Sequence, residues 1–175
     1  MENNKSRTCC FAGYRNVSEE QIGELNESLD KAIGMLIDKG VTNFISGGEQ
    51  GFDMIAAGKI LERKKMGYQV NLTLMFPCKG HSLRWRRDER RKLSALLSGA
   101  DELIYASEEY TIDCSTRQIT MMMKASAYCV CAMNRKSSGM SMTAKLAQGE
   151  DVQMICVAVR DRCAVCTAHL PNTNR

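Results

Sequence analysis

At 175 residues the chain is long enough for one domain that buries about 70% of its unfolded surface. A balance of 44% hydrophobic and 25% charged residues, with two prolines, excludes a fibrous or disordered chain. No apolar run reaches the ~18 residues of a membrane-spanning helix, and the net charge of +4 is modest. The N-terminal stretch MENNKSRT is polar where a secretory signal carries an apolar segment, so a cytoplasmic location and no membrane partner are expected. Nine cysteines are present, several inside apolar runs (Cys9, Cys10, Cys129, Cys131, Cys156), and they read as reduced buried thiols.

In chain order, RTCCFAG reads as a strand ending at Gly13, followed by a helix over SEEQIGELNESLDKAIGMLIDKG. Ser18 and Gln21 have capping-box spacing, Ile22, Leu25, Leu29, Ile33 and Leu36 share a face, and Gly40 closes the end. TNFIS is a second strand, SGGEQGFD a hinge, and a helix runs on through Lys65. YQVNLTLMFP is a third strand and SLRWRRDERRKLSALLSG a third helix. DELIYAS, TRQITMMMKASA, YCVCAMN, SMTAKLAQG and VQMICVAV continue as strand, helix, strand, helix and strand. Strands alternating with helices imply a mostly parallel sheet covered on both faces, an α/β three-layer sandwich. One domain over residues 1–160 is expected, with 161–175 as a tail outside it.

In such sheets ligands sit beyond the carboxyl ends of the strands, where the strand order reverses. Gly47 and Gly48 let the backbone approach a ligand, and Gly51 seats the next helix against its strand; a tight turn without a ligand has the same composition. Ser137, Ser138 and Gly139 precede a helix whose first turn carries Thr143, which is either a second phosphate-binding hinge or a serine cap. Arg15 has the chemistry for a bidentate phosphate contact. Glu49 and Asp53 suit ribose hydroxyls or acid-base work, and Asp53 equally suits the helix N-terminal dipole.

HSLRWRRDERRKL carries six Lys/Arg against two acids, equal to the net charge of the whole chain. Trp85 within it is available for base stacking on nucleic acid, or for packing at the ligand rim, while the charges also suit a solvated helix face. Cys163, Cys166 and His169 have zinc-like spacing without a second ligand pair, and no metal site is assigned. Met121 to Met123 read as core filler.

AGYR, FISGGEQGFDMIAA, FPCKGHSLRW, ADELIYASEEY, CSTRQITMMMKAS and SSGMSMT together resemble the YpsA-like family of the SLOG superfamily, over about Arg7 to Val159. That resemblance implies a Rossmann-like fold related to DprA and the Lonely Guy phosphoribohydrolases, and a nucleotide or nucleotide-derived ligand of ADP-ribose type. It assigns Gly13, Arg15, Gly47, Gly48, Glu49, Gly51 and Asp53 to one half of the pocket and Arg117, Ser138, Gly139 and Thr143 to the other. The Lonely Guy catalytic glutamate falls three residues beyond Thr143, where this chain has Leu146, so that chemistry does not carry over. Three functions remain: a protein that senses or sequesters a nucleotide derivative; a hydrolase of an N-glycosidic or phosphate bond with Glu49 as base; and a DprA-like single-strand binder using the Arg84 to Lys92 segment. No resident cofactor is expected, and homo-oligomerisation is left open.

Overall fold

The computed structural model describes the backbone of residues 4–132, 138–157 and 168–169, and the side chains of 4–132 and 142–157. Among these residues, strands β1 (Thr8–Gly13), β2 (Asn43–Ser46), β3 (Asn71–Phe76), β4 (Glu102–Tyr105), β5 (Tyr128–Ala132), β6 (Gln153–Cys156) and β7 (Ala168–His169) form one sheet. Helices α1 (Glu19–Asp38), α2 (Phe52–Lys65), α3 (Arg87–Gly99), α4 (Cys114–Ala125) and α5 (Ser138–Gly149) alternate with strands β1 to β6. The spatial order is β4-β3-β2-β1-β5-β6-β7 and every pairing is parallel. This is a Rossmann-like α/β fold. The order reverses between β1 and β5, which pair from Cys9 with Tyr128 to Gly13 with Ala132.

Strand alternation divides the core. Cys9 and Phe11 of β1 face a cluster shared with α1, α2 and α3, whereas Cys10 faces a second cluster with Met122 and Met123 of α4 and Ala144 and Ala147 of α5. On the first face Phe11 stacks on Phe44 and meets Phe52 edge-on, with ring centroids 6.0 and 6.4 Å apart. Leu25, Leu29, Ala32, Ile33 and Leu36 of α1 are buried at helical spacing, each stabilising by about 1.5–3 kcal/mol for the larger side chains. Ile22 departs from this stripe and is 37% exposed. The Ser18 backbone N–H donates to Gln21 Oε1 at 3.1 Å, the returning half of the expected capping box.

Two helix starts and one added strand differ from the sequence reading. Helix α3 starts at Arg87 rather than Ser82, because residues 80–85 form successive turns, Leu83 N–H to Gly80 O and Trp85 N–H to Ser82 O, that dock Trp85 against His81. Helix α5 begins at Ser138. Strand β7, absent from the sequence reading, pairs in parallel with β6 through Ala168 and His169. Cys9, Cys10 and Cys129 are free and buried, as expected, and so are Cys78 and Cys114; Cys131 is buried with its Sγ 3.5 Å from Ile155 O and from Cys156 Sγ. Cys156, expected to be reduced, is instead disulfide-bonded, at a half-buried position of β6 packed against the second core cluster. Residues Ser137, Cys163 and Cys166 lie outside the described residues.

Gly51 has φ +81°, and a Cβ there would collide with the Arg15 and Tyr14 carbonyl oxygens. Gly51→Ala is therefore expected to destabilise by about 1–3 kcal/mol from the backbone conformation alone, with the clash in addition. Urea unfolding measures this, with Gly58→Ala, in the interior of α2 and with nothing within 4 Å, as the control expected to stabilise by about 0.5–1 kcal/mol.

Candidate functional site

Strand β2 ends at Ser46, whose hydroxyl is fully buried and works in both directions: Oγ donates to Asp53 O at 2.9 Å and accepts from Gly48 N–H at 3.2 Å. The turn between them depends on glycine twice. Gly48 (φ +65°) lies under the Phe76 ring, and Gly51 precedes α2 so that Phe52 N–H reaches Tyr14 O at 3.1 Å. Gly13 packs flat on the Phe52 ring, leaving no room for a side chain. From the other face, Gln118 of α4 donates through Nε2 to Met75 O at 2.6 Å and Gly47 O at 3.1 Å. One carboxamide thus ties the end of β3 and the hinge to α4.

These groups enclose a cavity of about 170 Å³ over the carboxyl end of β1, beside the reversal of strand order. Phe11, Ile119, Met122 and Met123 supply its apolar wall, and Arg15, Glu49, Asp53, Ser115, Gln118 and Thr143 its polar one. The volume is below the ~300 Å³ at which small-molecule pockets begin, so it matches one end of a nucleotide rather than the whole.

The electrostatics centre on two acids. Glu49 pairs with Arg15 at 3.4 Å; burial raises its carboxyl, and the Arg15 charge acts against that. Asp53 is 8% exposed, and its Oδ1 has no hydrogen-bond partner. Burial first and the Glu49 charge second push Asp53 up to about 8, against the pull of the Glu49 and Gly47 backbone amides and of Arg15. Gly47 is the close-approach residue here, since a Cβ on it would sit 2.6 Å from Asp53 Oδ2 and 3.0 Å from Gln118 Nε2.

Of the residues expected to form the site, Gly13, Arg15, Gly47, Glu49, Asp53 and Thr143 line this cavity together. Gly48 and Gly51 shape the hinge, and Gly51 faces a second groove. Arg117 points elsewhere, paired on the surface with Asp113 at 2.9 Å. Ser138 and Gly139 fall in the first turn of α5. Trp85 lies in the second groove, of about 950 Å³, with Arg15, Arg84, Arg86, Lys92 and an apolar floor of Val17, Ile22, Met54, Ile55 and Leu96. Arg15 borders both spaces.

Sequence reasoning missed Gln118, Ser115 and His81. Gln118 is legible in retrospect: it is the polar member of a buried row, Cys114, Gln118 and Met122, at spacing four. His81 sits between Phe76 and Trp85, with centroids 4.2 and 5.2 Å away; its Nε2 is buried without a partner and burial lowers its pKa to about 4. Among the described residues no cluster of three or more metal-ligating side chains occurs, and no helix is long and apolar enough to cross a membrane.

The two perturbed groups pull stability in opposite directions with pH. Asp53, raised above its unfolded value, stabilises the fold fully near pH 4 and loses that contribution as pH rises through about 8. Asp53→Asn should therefore gain Tm relative to the parent as pH goes from 5 to 8, at about 2–4 °C per kcal/mol for a chain of this size. His81, depressed to about 4, contributes above its unfolded value and loses that contribution as pH falls from about 6.5 to 4, so His81→Phe should flatten that acid limb. Thermal scans across pH check both.

Comparison with known proteins adds fold and family. DNA processing protein A from Helicobacter pylori, described for its single-stranded DNA binding mode, superposes with a TM-score of 0.64 at 14% identity, over 90% of this chain and 68% of that one. DNA processing protein A (DprA) from Streptococcus pneumoniae gives 0.64 at 13% identity, over 90% of this chain and 53% of that one, so the chain spans about half its length. At these identities the likeness is one of fold. No curated protein matches the sequence. The family model YpsA, described as the YspA SLOG family, matches residues 10–158, most of the chain and all of the hinge, cavity and groove. The chain therefore belongs to the YpsA family of SLOG proteins.

Proposed function

We propose that the protein binds a nucleotide-derived ligand of ADP-ribose type, with a phosphate or ribose end in the cavity over β1, and acts as a sensor or sequestering protein. The observation that carries this reading is the coincidence of three features at one place: the strand-order reversal, a glycine hinge opening α2, and a cavity with a polar wall. Membership of the family supports it. Hydrolysis is the enzymatic form of the same reading. Glu49, on the cavity wall and held by Arg15, is the carboxylate placed to activate a water beside an N-glycosidic or phosphate bond.

The second groove supports a separate reading, single-stranded nucleic acid. A half-buried Trp85 among Arg15, Arg84, Arg86 and Lys92 combines a stacking surface with positive charge, and the Helicobacter pylori protein of the same fold binds single-stranded DNA.

The test is incubation of the protein and of Glu49→Ala with ADP-ribose, NAD and nucleoside monophosphates, followed by mass spectrometry and thermal shift. Stabilisation with the ligand returned intact is the expected result. Turnover lost in Glu49→Ala would establish the hydrolase instead. For the groove, oligonucleotide binding should weaken about 10-fold or more in Trp85→Ala, the loss of one base stack, and should fall steeply with salt; binding insensitive to both removes the nucleic-acid reading.

A further inference from the structure

The cavity over β1, at about 170 Å³, is too small for a whole nucleotide, whereas the groove holds about 950 Å³. Both border the same hinge. Glu49 lines the cavity, the next two residues, Gln50 and Gly51, line the groove, and Arg15 lines both. Among the described residues of the cavity lining only Gly13, Arg15 and Ser115 are exposed, so the cavity opens where these three stand. Of the three, Arg15 alone also lines the groove. Its side chain is 66% exposed and stands 3.4 Å from Glu49 through one nitrogen, and a guanidinium has further N–H donors for a second anion.

The groove is built for a flat apolar group as well as for charge. Val17, Ile22, Met54, Ile55 and Leu96 give it an apolar floor, and Trp85 is the aromatic side chain on its wall. His81 meets Trp85 at 84°, with centroids 5.2 Å apart, and a contact at that angle does not cover both faces of the indole. A polynucleotide is held by successive aromatic platforms along a track of positive charge. Here the described lining offers one aromatic platform, and the charge of Lys92 is partly met by Glu89 at 2.9 Å. One platform suits one base.

We infer that a single two-ended ligand spans both spaces, with a ribose or phosphate end in the cavity, a diphosphate on Arg15 at the hinge, and its base stacked on Trp85 over the apolar floor of the groove. The inference rests on the nucleotide reading above and names the ligand class of that site: a nucleoside diphosphate joined to a second sugar, in preference to a mononucleotide or a sugar phosphate. Arg84 and Arg86 on the groove wall add positive charge that offsets Glu49 beside the diphosphate. Joining the two ends in one molecule makes the second contact intramolecular, so the spanning ligand binds more tightly than either end alone.

Trp85 is the one tryptophan of the chain, so its fluorescence reads the groove, while thermal shift reads binding at either place. The probes are ADP-ribose, which carries both ends, and ribose 5-phosphate, which carries only the cavity end. ADP-ribose is expected to raise Tm and quench Trp85; ribose 5-phosphate is expected to raise Tm less and leave the fluorescence unchanged. By calorimetry Trp85→Ala should weaken ADP-ribose about 10-fold, the loss of one base stack, leave ribose 5-phosphate level, and recover most of the ADP-ribose affinity in Trp85→Phe. ADP-ribose binding that neither quenches Trp85 nor weakens in Trp85→Ala overturns the spanning inference and leaves the nucleotide reading standing. Quenching by a single-stranded oligonucleotide but not by ADP-ribose assigns the groove to nucleic acid and also overturns it. No binding of either probe overturns the nucleotide reading and this inference with it. If Trp85→Ala fails to fold, the fluorescence of the parent still decides.

Discussion

The hinge between β2 and α2 depends on Gln118. Its carboxamide is buried between sheet and helix, and its two bonds hold Met75 O at the end of β3 and Gly47 O at the start of the turn. Two carbonyls that the sheet ladder does not reach would otherwise be left without a donor in the core, at about 1–3 kcal/mol each. Because the same amide packs on Gly47, it also sets the position of the backbone that faces Asp53. The hinge is thus held from the α4 face by a side chain and from the α2 face by Ser46.

This full pairing of the hinge makes the one exception informative. Ser46 Oγ, Gly48 N–H, Gly47 O and Phe52 N–H all have partners, but Asp53 Oδ1 has none. Asp53 itself lines the cavity, while its Oδ1 is sealed behind the cavity wall. The second orphan, His81 Nε2, lies along an aromatic row from Phe76 through His81 to Trp85. Phe76 covers Gly48 at one end of that row and Trp85 borders the basic groove at the other. Arg15 borders both the cavity and the groove.

Periodicity carried most of the architecture. Apolar runs such as LTLMF and YCVCA read as strands buried on both faces, and the spacing of Leu25, Leu29, Ile33 and Leu36 marked the inner face of α1, because both patterns reflect local geometry that recurs every two or every three to four residues. The pattern misled where a tertiary contact overrode it. Arg and Leu residues from 83 onward continue a helical composition, yet Trp85 docks on His81 and the chain turns until Arg87. Ile22 has the right spacing for the core but lies beyond the cover of the neighbouring helices, in the groove.

The sequence by itself determined the parallel α/β class, the glycine hinge and the set of residues carried after each strand, since these follow from chain-local rules of turn and strand chemistry. Tertiary structure alone decided which of those residues meet. Strand order brings Gly13, Gly47, Asp53 and Thr143 to one cavity and sends Trp85 to another and Arg117 to the surface, a separation invisible in a linear order that places all of them after strands. The ionisation of Asp53 is likewise a tertiary property. Its position in the first turn of α2 predicts an acid held down by the helix dipole, and only its burial beside Glu49, with Arg15 turned to the other carboxylate, reverses that direction.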